Sequence, residues 1–238
     1  MNRLVFSIAI ASVTVAGLGA VGRRYHAQLS PTVRPLVAVY KITSSRDGKQ
    51  QPDRYLTLAV RADGTFMTAN SRPDVHGQLL TSRAIELKDR YLIVDPLTES
   101  VLSYKPYRTL VVATQDCGGT PDTSVLGFAT QVGDRQLKTP KGQEEIKRWL
   151  AVDLNCVSIR EDIVATEDSS QFQLNQEAIS IQMGEPPAEY FDVPPSYQER
   201  GPADLDKEVS KRFPGKRAFD SQDVIDKLQK VYDATKPK

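Results

Sequence analysis

From Leu36 to Met183 the chain repeats one pattern: short runs of alternating side chains, broken every few residues by turn signals. No helical stretch of the kind that links parallel strands interrupts it. A period of two puts successive side chains on opposite faces of a strand. Val37, Val39 and Lys41 alternate with Ala38, Tyr40 and Ile42. Leu56, Leu58 and Val60 share one face, opposite Tyr55, Thr57 and Ala59. Asp47-Gly48 and Ala62-Asp63-Gly64 read as tight turns, because Asp-Gly supplies the positive φ such turns need. Thr65 to Asn70, Arg83 to Leu87, Arg90 to Asp95, Ser100 to Tyr104 and Leu110 to Ala113 read as further strands. Val125 to Val132 follows, then a Gly133-Asp134 turn into Arg135 to Thr139. A strand ending near Trp149 comes next, then Val157 to Val164 and Gln173 to Met183. About eleven short strands without crossover helices predict a mainly β fold: a single curved antiparallel sheet, a half-open barrel, with one face buried and the other in water.

Pro186, Pro187, Pro194, Pro195 and Pro202 end the pattern, since proline cannot continue a central strand. Phe191-Asp192-Val193 reads as a last extended piece. Residues 198–219 are charged and poor in apolar side chains, which predicts a linker. Asp220 is placed to cap a helix over Ser221 to Ala234, whose apolar stripe is Val224, Ile225, Leu228, Val231 and Tyr232. A helix this short is marginal alone, so its stripe must dock on the sheet, on a copy of itself or on a partner. The expected organisation is 1–21 signal peptide or membrane anchor, 22–34 linker, 35–197 antiparallel β half-barrel domain, 198–219 charged linker and 220–238 C-terminal amphipathic helix and tail.

The N-terminus has the three-part layout of a secretory signal: Arg3, an apolar run from Leu4 to Val15, and small residues from Ala16 to Ala20. An uncleaved anchor from Leu4 to Val21 is the rival reading, short for a bilayer span. Either way the remainder is exported, to the periplasm or another extracytoplasmic space. The alternative is tethering to the inner membrane by the uncut segment. Export bears on the two cysteines, Cys117 and Cys156, which lie 39 positions apart. In an oxidising compartment they are expected to pair, removing about 4 kcal/mol of unfolded-state entropy in the chain-entropy model. A net charge of +1, from 31 basic and 30 acidic residues, with no long Lys/Arg block, argues against a nucleic-acid partner.

No catalytic or metal-binding constellation stands out, and neither cofactor nor enzyme activity is expected. His26 and His76 are the only histidines, and both fall in expected loops. Asp74 beside His76 lacks the Gly-x-Ser-x-Gly turn of a hydrolase. Glu144, Glu145, Glu161, Asp162, Glu167 and Asp168 read as solvated carboxylates near turns. Gly118-Gly119 lacks the helix and lysine of a phosphate loop. The aromatic-basic cluster of Tyr104, Lys105, Tyr107 and Arg108 reads as an edge that blocks aggregation. The remaining candidate is the concave sheet face. By alternation, Leu56, Leu58, Val60, Leu126, Phe128, Trp149, Ile179 and Ile181 line it and would hold an apolar ligand.

The order of Val125-Leu126-Gly127-Phe128, then Trp149 to Cys156, then Gly184-Glu185-Pro186-Pro187 and Phe191-Asp192-Val193-Pro194 before Tyr197 resembles exported bacterial proteins of the lipoprotein-carrier-like (outer-membrane lipoprotein-sorting) fold, many of unknown function. The resemblance is clearest over 117–197. It implies a half-open barrel with an apolar interior, a place in the cell envelope, and handling of an acyl chain or lipoprotein without a catalytic residue. The chain departs from that group in lacking mid-chain helices as a lid and a lipid-attachment cysteine. The alternative reading is an envelope scaffold or interaction module that uses its C-terminal helix to dock a protein partner and has no small-molecule ligand.

Overall fold

The computed structural model describes residues 34–73, 79–87, 90–104, 120–139, 142–154, 156–167, 170–215, 217–219 and 221–235. Thirteen strands fall among them: β1 (Leu36–Arg46), β2 (Lys49–Gln50), β3 (Arg54–Val60), β4 (Phe66–Pro73), β5 (Leu79–Glu86), β6 (Tyr91–Asp95), β7 (Ser100–Tyr104), β8 (Thr123–Val125), β9 (Phe128–Thr139), β10 (Gly142–Ala151), β11 (Val157–Glu167), β12 (Ser170–Met183) and β13 (Gln198–Glu199). Two helices follow, α1 (Pro202–Arg212) and α2 (Gln222–Thr235). The strands belong to a single unclosed sheet, antiparallel except where β13 runs parallel to β7. The mainly β, half-open class expected from the alternation is the observed one, with thirteen strands in place of about eleven.

The described residues divide into two compact units. The larger draws on Pro31–Thr81 and Thr109–Asp192, the smaller on Ser82–Arg108 and Val193–Lys238. In the larger unit the strand order is β4-β3-β1-β12-β11-β10-β9-β8, with β2 also on β1. Strand β1 sits mid-sheet and shows why the pattern folds this way. Leu36, Ala38, Tyr40, Ile42 and Ser44 are buried, and the residues between them are half-buried. The buried set defines the core face, where Leu36, Ala38, Tyr40, Val60, Ala151, Leu154, Val157, Ile159 and Ala178 form one cluster. Two register shifts interrupt the ladder. Tyr40 pairs with Ala178 where Val39 pairs with Ser180, which leaves Ile179 as the extra residue. Leu150 pairs with Ser158 where Trp149 pairs with Arg160, which leaves Ile159 extra. Such bulges sharpen local twist and bend the strand.

Two turns differ from the sequence reading. Val125 to Val132 is not one strand. Leu126 and Gly127, at φ 51° and 80°, form a two-residue turn between β8 and β9. Both central positions need positive φ there, a conformation glycine adopts without strain. Gly133-Asp134 is not a turn but the middle of β9, held by pairing with Arg148 and Lys147 of β10. Beyond the sheet, a 3-10 turn Ala188–Tyr190 precedes Phe191, which is buried and, at φ -106° and ψ -4°, not extended as the sequence suggested. The Arg61 guanidinium stacks 4.0 Å from the Phe191 ring centroid, and Glu185 accepts a hydrogen bond from the Ala62 backbone N–H at 3.2 Å. Together they fasten this segment to the end of β3.

In the smaller unit, residues 198–219 are structured where a linker was expected. They form β13 and α1. Gly201 stands before the helix, Pro202 opens it, and Lys211 and Arg212 lie in its last turn, which suits the helix dipole. A Cβ at Gly201 would lie 2.9 Å from Tyr232 Cε1, so only glycine lets α1 start against α2. The α2 side chain of Gln229 accepts from the Ala203 N–H at 3.0 Å and satisfies one of the free donors of α1. Buried Asp206 accepts from Arg217 at 2.8 Å and from the Ala218 N–H at 2.9 Å, which fixes the link between the helices. Leu205, Val209, Ala218, Phe219, Ile225 and Tyr232 pack with Leu102 of β7. Ile225, Leu228 and Tyr232 of the expected stripe are therefore packed inside their own unit, while Val224 is 37% exposed, which weakens the basis for a partner docking on the helix. The Ser221 hydroxyl accepts from the Val224 N–H at 3.4 Å. The expected cap, Asp220, lies outside the described residues.

The N-terminal segment, His26, His76, Asp74, the expected strand Leu110 to Ala113, Gly118-Gly119 and Cys117 also lie outside the described residues, as do Lys105, Tyr107 and Arg108. Among the described residues no helix is long and apolar enough to cross a membrane, and no cysteine is free.

Candidate functional site

Strand register aligns the core face of the larger unit into rows. The first runs Phe66, Val60, Leu36, Met183; the second runs Thr68, Leu58, Ala38, Ile181; the third runs Asn70, Leu56, Tyr40, Ala178. Side chains opposite one another on neighbouring strands lie about 5 Å apart, so each row is a continuous strip. The first two rows are apolar apart from Thr68. Around the buried cluster, Leu56, Leu58, Phe66, Val125, Phe128 and Ile181 pack against it while staying partly accessible. Met183, at the end of the first row, is 49% exposed.

Tyr40 closes the third row. Its hydroxyl donates to the Ser158 carbonyl at 3.0 Å. Burial, and to a lesser degree the nearby Glu161 carboxylate, holds its pKa above the usual tyrosine range. The hydroxyl is a fixed donor, not an acid or base. Thr130, wholly buried and paired with Ala151, has a hydroxyl with no hydrogen-bond partner among the described residues. Such orphans are uncommon in folded proteins.

The eight residues expected to line one apolar face do not all come together. Val60 is in the buried cluster, and Leu56, Leu58, Phe128 and Ile181 pack against it. Leu126 is 49% exposed in the β8–β9 turn, and Ile179 is 53% exposed at the bulge of β12. Trp149 lies on the opposite face, because its register partner Arg160 alternates with Glu161, which faces the core side with Gln176 and Ile42. There the Arg160 guanidinium stacks 4.4 Å from the ring centroid, with Lys147 Nζ at 5.3 Å. Such stacking fits a surface indole under cations.

Two of the carboxylates also differ from the expectation, whereas Glu145 is exposed as expected. Glu161 and Asp162 are mid-strand, and each is paired: Arg148 Nε to Glu161 Oε2 at 2.6 Å, Arg160 Nη2 to Asp162 Oδ2 at 3.1 Å. Alternation made them look solvated because each lies beside polar neighbours in sequence, while their partners come from across the ladder or two residues back. A shallow groove of about 380 Å³ is lined by polar residues, among them Thr43, Gln50, Asp162 and Asn175, and by the apolar Ile163, Val164 and Leu174. Its lining is mixed and includes none of the residues of the three rows above.

The fold defines a mainly β protein whose larger unit carries a one-sided apolar face. The chain matches no protein-family model and no curated protein. Among solved structures it is similar to an uncharacterized conserved protein from Thermus thermophilus, at 8% identity and TM-score 0.42, over 71% of this chain and 90% of that one. It is also similar to a LolA superfamily protein from Nitrosomonas europaea, at 6% identity and TM-score 0.32, over 67% and 90%. LprF from Mycobacterium bovis is a third, at 10% identity and TM-score 0.31, over 69% and 90%.

Proposed function

We propose that this chain is a non-enzymatic, exported cell-envelope protein that binds an apolar ligand, an acyl chain or the acyl part of a lipoprotein, on the core face of its larger unit. The supporting observation is the rim of Leu56, Leu58, Phe66, Val125, Phe128 and Ile181, apolar side chains packed on a buried cluster yet still partly in water. Covering such surface is favourable by about 25 cal/mol per Å². A long, flexible chain can follow rows that run across several strands, whereas a compact polar solute has no set of donors there to satisfy. Export and a Cys117–Cys156 disulfide belong to the same proposal. The test is native mass spectrometry of protein purified from membranes, together with titration of a fluorescent fatty acid. Co-purified lipid and saturable binding are the expected results. Absence of both refutes the reading.

A further inference from the structure

The core face is not apolar throughout. Next to the Tyr40 row lies a row of different chemistry: Arg54 on β3, Ile42 on β1, Gln176 on β12, Glu161 on β11 and Arg148 on β10, each opposite the next by strand register. Beyond it the row opens with Ser44 on β1, and Leu174, Ile163 and Ile146 return the face to apolar side chains. Gln176, Glu161 and Arg148 therefore form a polar belt across β12, β11 and β10, which Ile42 separates from Arg54. Arg148 and Glu161 are paired at 2.6 Å with side chains only 28% and 18% exposed. Charges shielded to that degree lose hydration, and a pair of apolar residues would serve packing at least as well. The belt is therefore poorly explained by folding alone. Arg148 donates through Nε to Glu161, and its two terminal nitrogens make no hydrogen bond to the described residues. A guanidinium presents a planar fork that matches a carboxylate or phosphate oxyanion.

Resting on the apolar-ligand reading above, we infer that the Arg148–Glu161–Gln176 belt selects the head of that ligand, so that the preferred class is an anionic single-chain amphiphile. Its chain lies along the apolar rows, and its oxyanion meets the terminal nitrogens of Arg148, with Gln176 as a second donor. Glu161 holds the guanidinium in place and weakens, without abolishing, its pull on an anion.

The experiment compares three competitors of equal chain length, hexadecanoic acid, hexadecyl phosphate and hexadecanol, each displacing a neutral fluorescent alkyl probe from the full chain. At least one anion is expected to bind about tenfold more tightly than the alcohol, the scale of one charge-assisted hydrogen bond. Preference for the phosphate points to a phospholipid-type head, and preference for the carboxylate to a free fatty acid. Arg148→Met is expected to bring acid, phosphate and alcohol to near parity with alcohol binding unchanged. The double variant Arg148→Met/Glu161→Gln, which leaves no unpaired carboxylate, is expected to do the same if the single variant is poorly folded. Glu161→Gln alone is expected to widen the anion preference. Equal affinities in the unaltered protein, or a preference that survives in the double variant, overturns the inference while leaving apolar binding intact. Failure of all three ligands to bind overturns the apolar-ligand reading itself.

Discussion

Whether α2 is core or a docking element is decided by truncating Ile225. This side chain is 2% exposed and packs among Leu102, Leu205, Val209, Phe219 and Tyr232. Ile225→Ala removes three carbons at about 0.8 kcal/mol each, about 2.4 kcal/mol of transfer energy. The cavity left between two helices and a strand adds to this, and buried isoleucine-to-alanine changes cost about 2–5 kcal/mol in all. A working value of about 3 kcal/mol corresponds to a fall in Tm of about 6–12 °C for a chain of this size. Val224 is the control: one residue away on the same helix, it is 37% exposed, and Val224→Ala is expected to change stability by less than about 0.5 kcal/mol. Thermal and urea denaturation followed by circular dichroism read both. Equal, small effects for the two variants would mean that the stripe of α2 is not packed in its own unit, and the partner-docking reading would return.

Two further outcomes follow from local chemistry. If Cys117 and Cys156 pair, the purified exported protein gains the mass of two hydrogens on reduction and loses about 2–5 kcal/mol of stability; unchanged mass on reduction refutes the pairing. Asp47 accepts from the Gln171 N–H at 2.8 Å and from the Ser170 hydroxyl at 2.9 Å, and these bonds, the backbone one foremost, hold its pKa below the ordinary carboxylate value. A depressed folded-state pKa stabilises the fold above the unfolded value of about 4, and that contribution disappears as pH falls through the folded value. The stability gap between the native chain and Asp47→Asn should therefore narrow between pH 6 and pH 3 by urea titration, and a constant gap would contradict the assignment.

Much of the sheet was readable because side chains alternate along strands such as β1, where burial follows the alternation strictly. It failed where both parities of a strand carry apolar atoms. In β10 the core face holds Ile146 and Arg148 while the other holds Lys147 and Trp149, so the most hydrophobic residue pointed to the wrong side. It failed again at bulges, since a single extra residue at Ile179 puts an isoleucine into solvent without leaving a mark in the sequence. Helix α1 was missed because its stripe is sparse, Leu205 and Val209 among charged residues, and because buried Asp206 is matched by Arg217 from outside the helix. The Gly133-Asp134 pair carries a genuine turn signal, but the pairing of Thr130 to Thr139 along β10 overrides it. The belt of Arg148, Glu161 and Gln176 was invisible for a related reason. Its members are distant in sequence, and only the register of β10, β11 and β12 brings them into one row.

Acyl binding on the core face is best checked by placing a charge on each side of the sheet and titrating a fluorescent fatty acid. Leu58→Asp and Ile181→Asp alter the second apolar row, while Val164→Asp alters the opposite face, where Val164 is 38% exposed. With folding confirmed by circular dichroism, the two core-face variants should weaken binding about tenfold or more, and Val164→Asp should leave it unchanged. Equal binding by all three variants and the native chain, or no binding by the native chain, would contradict a ligand on that face.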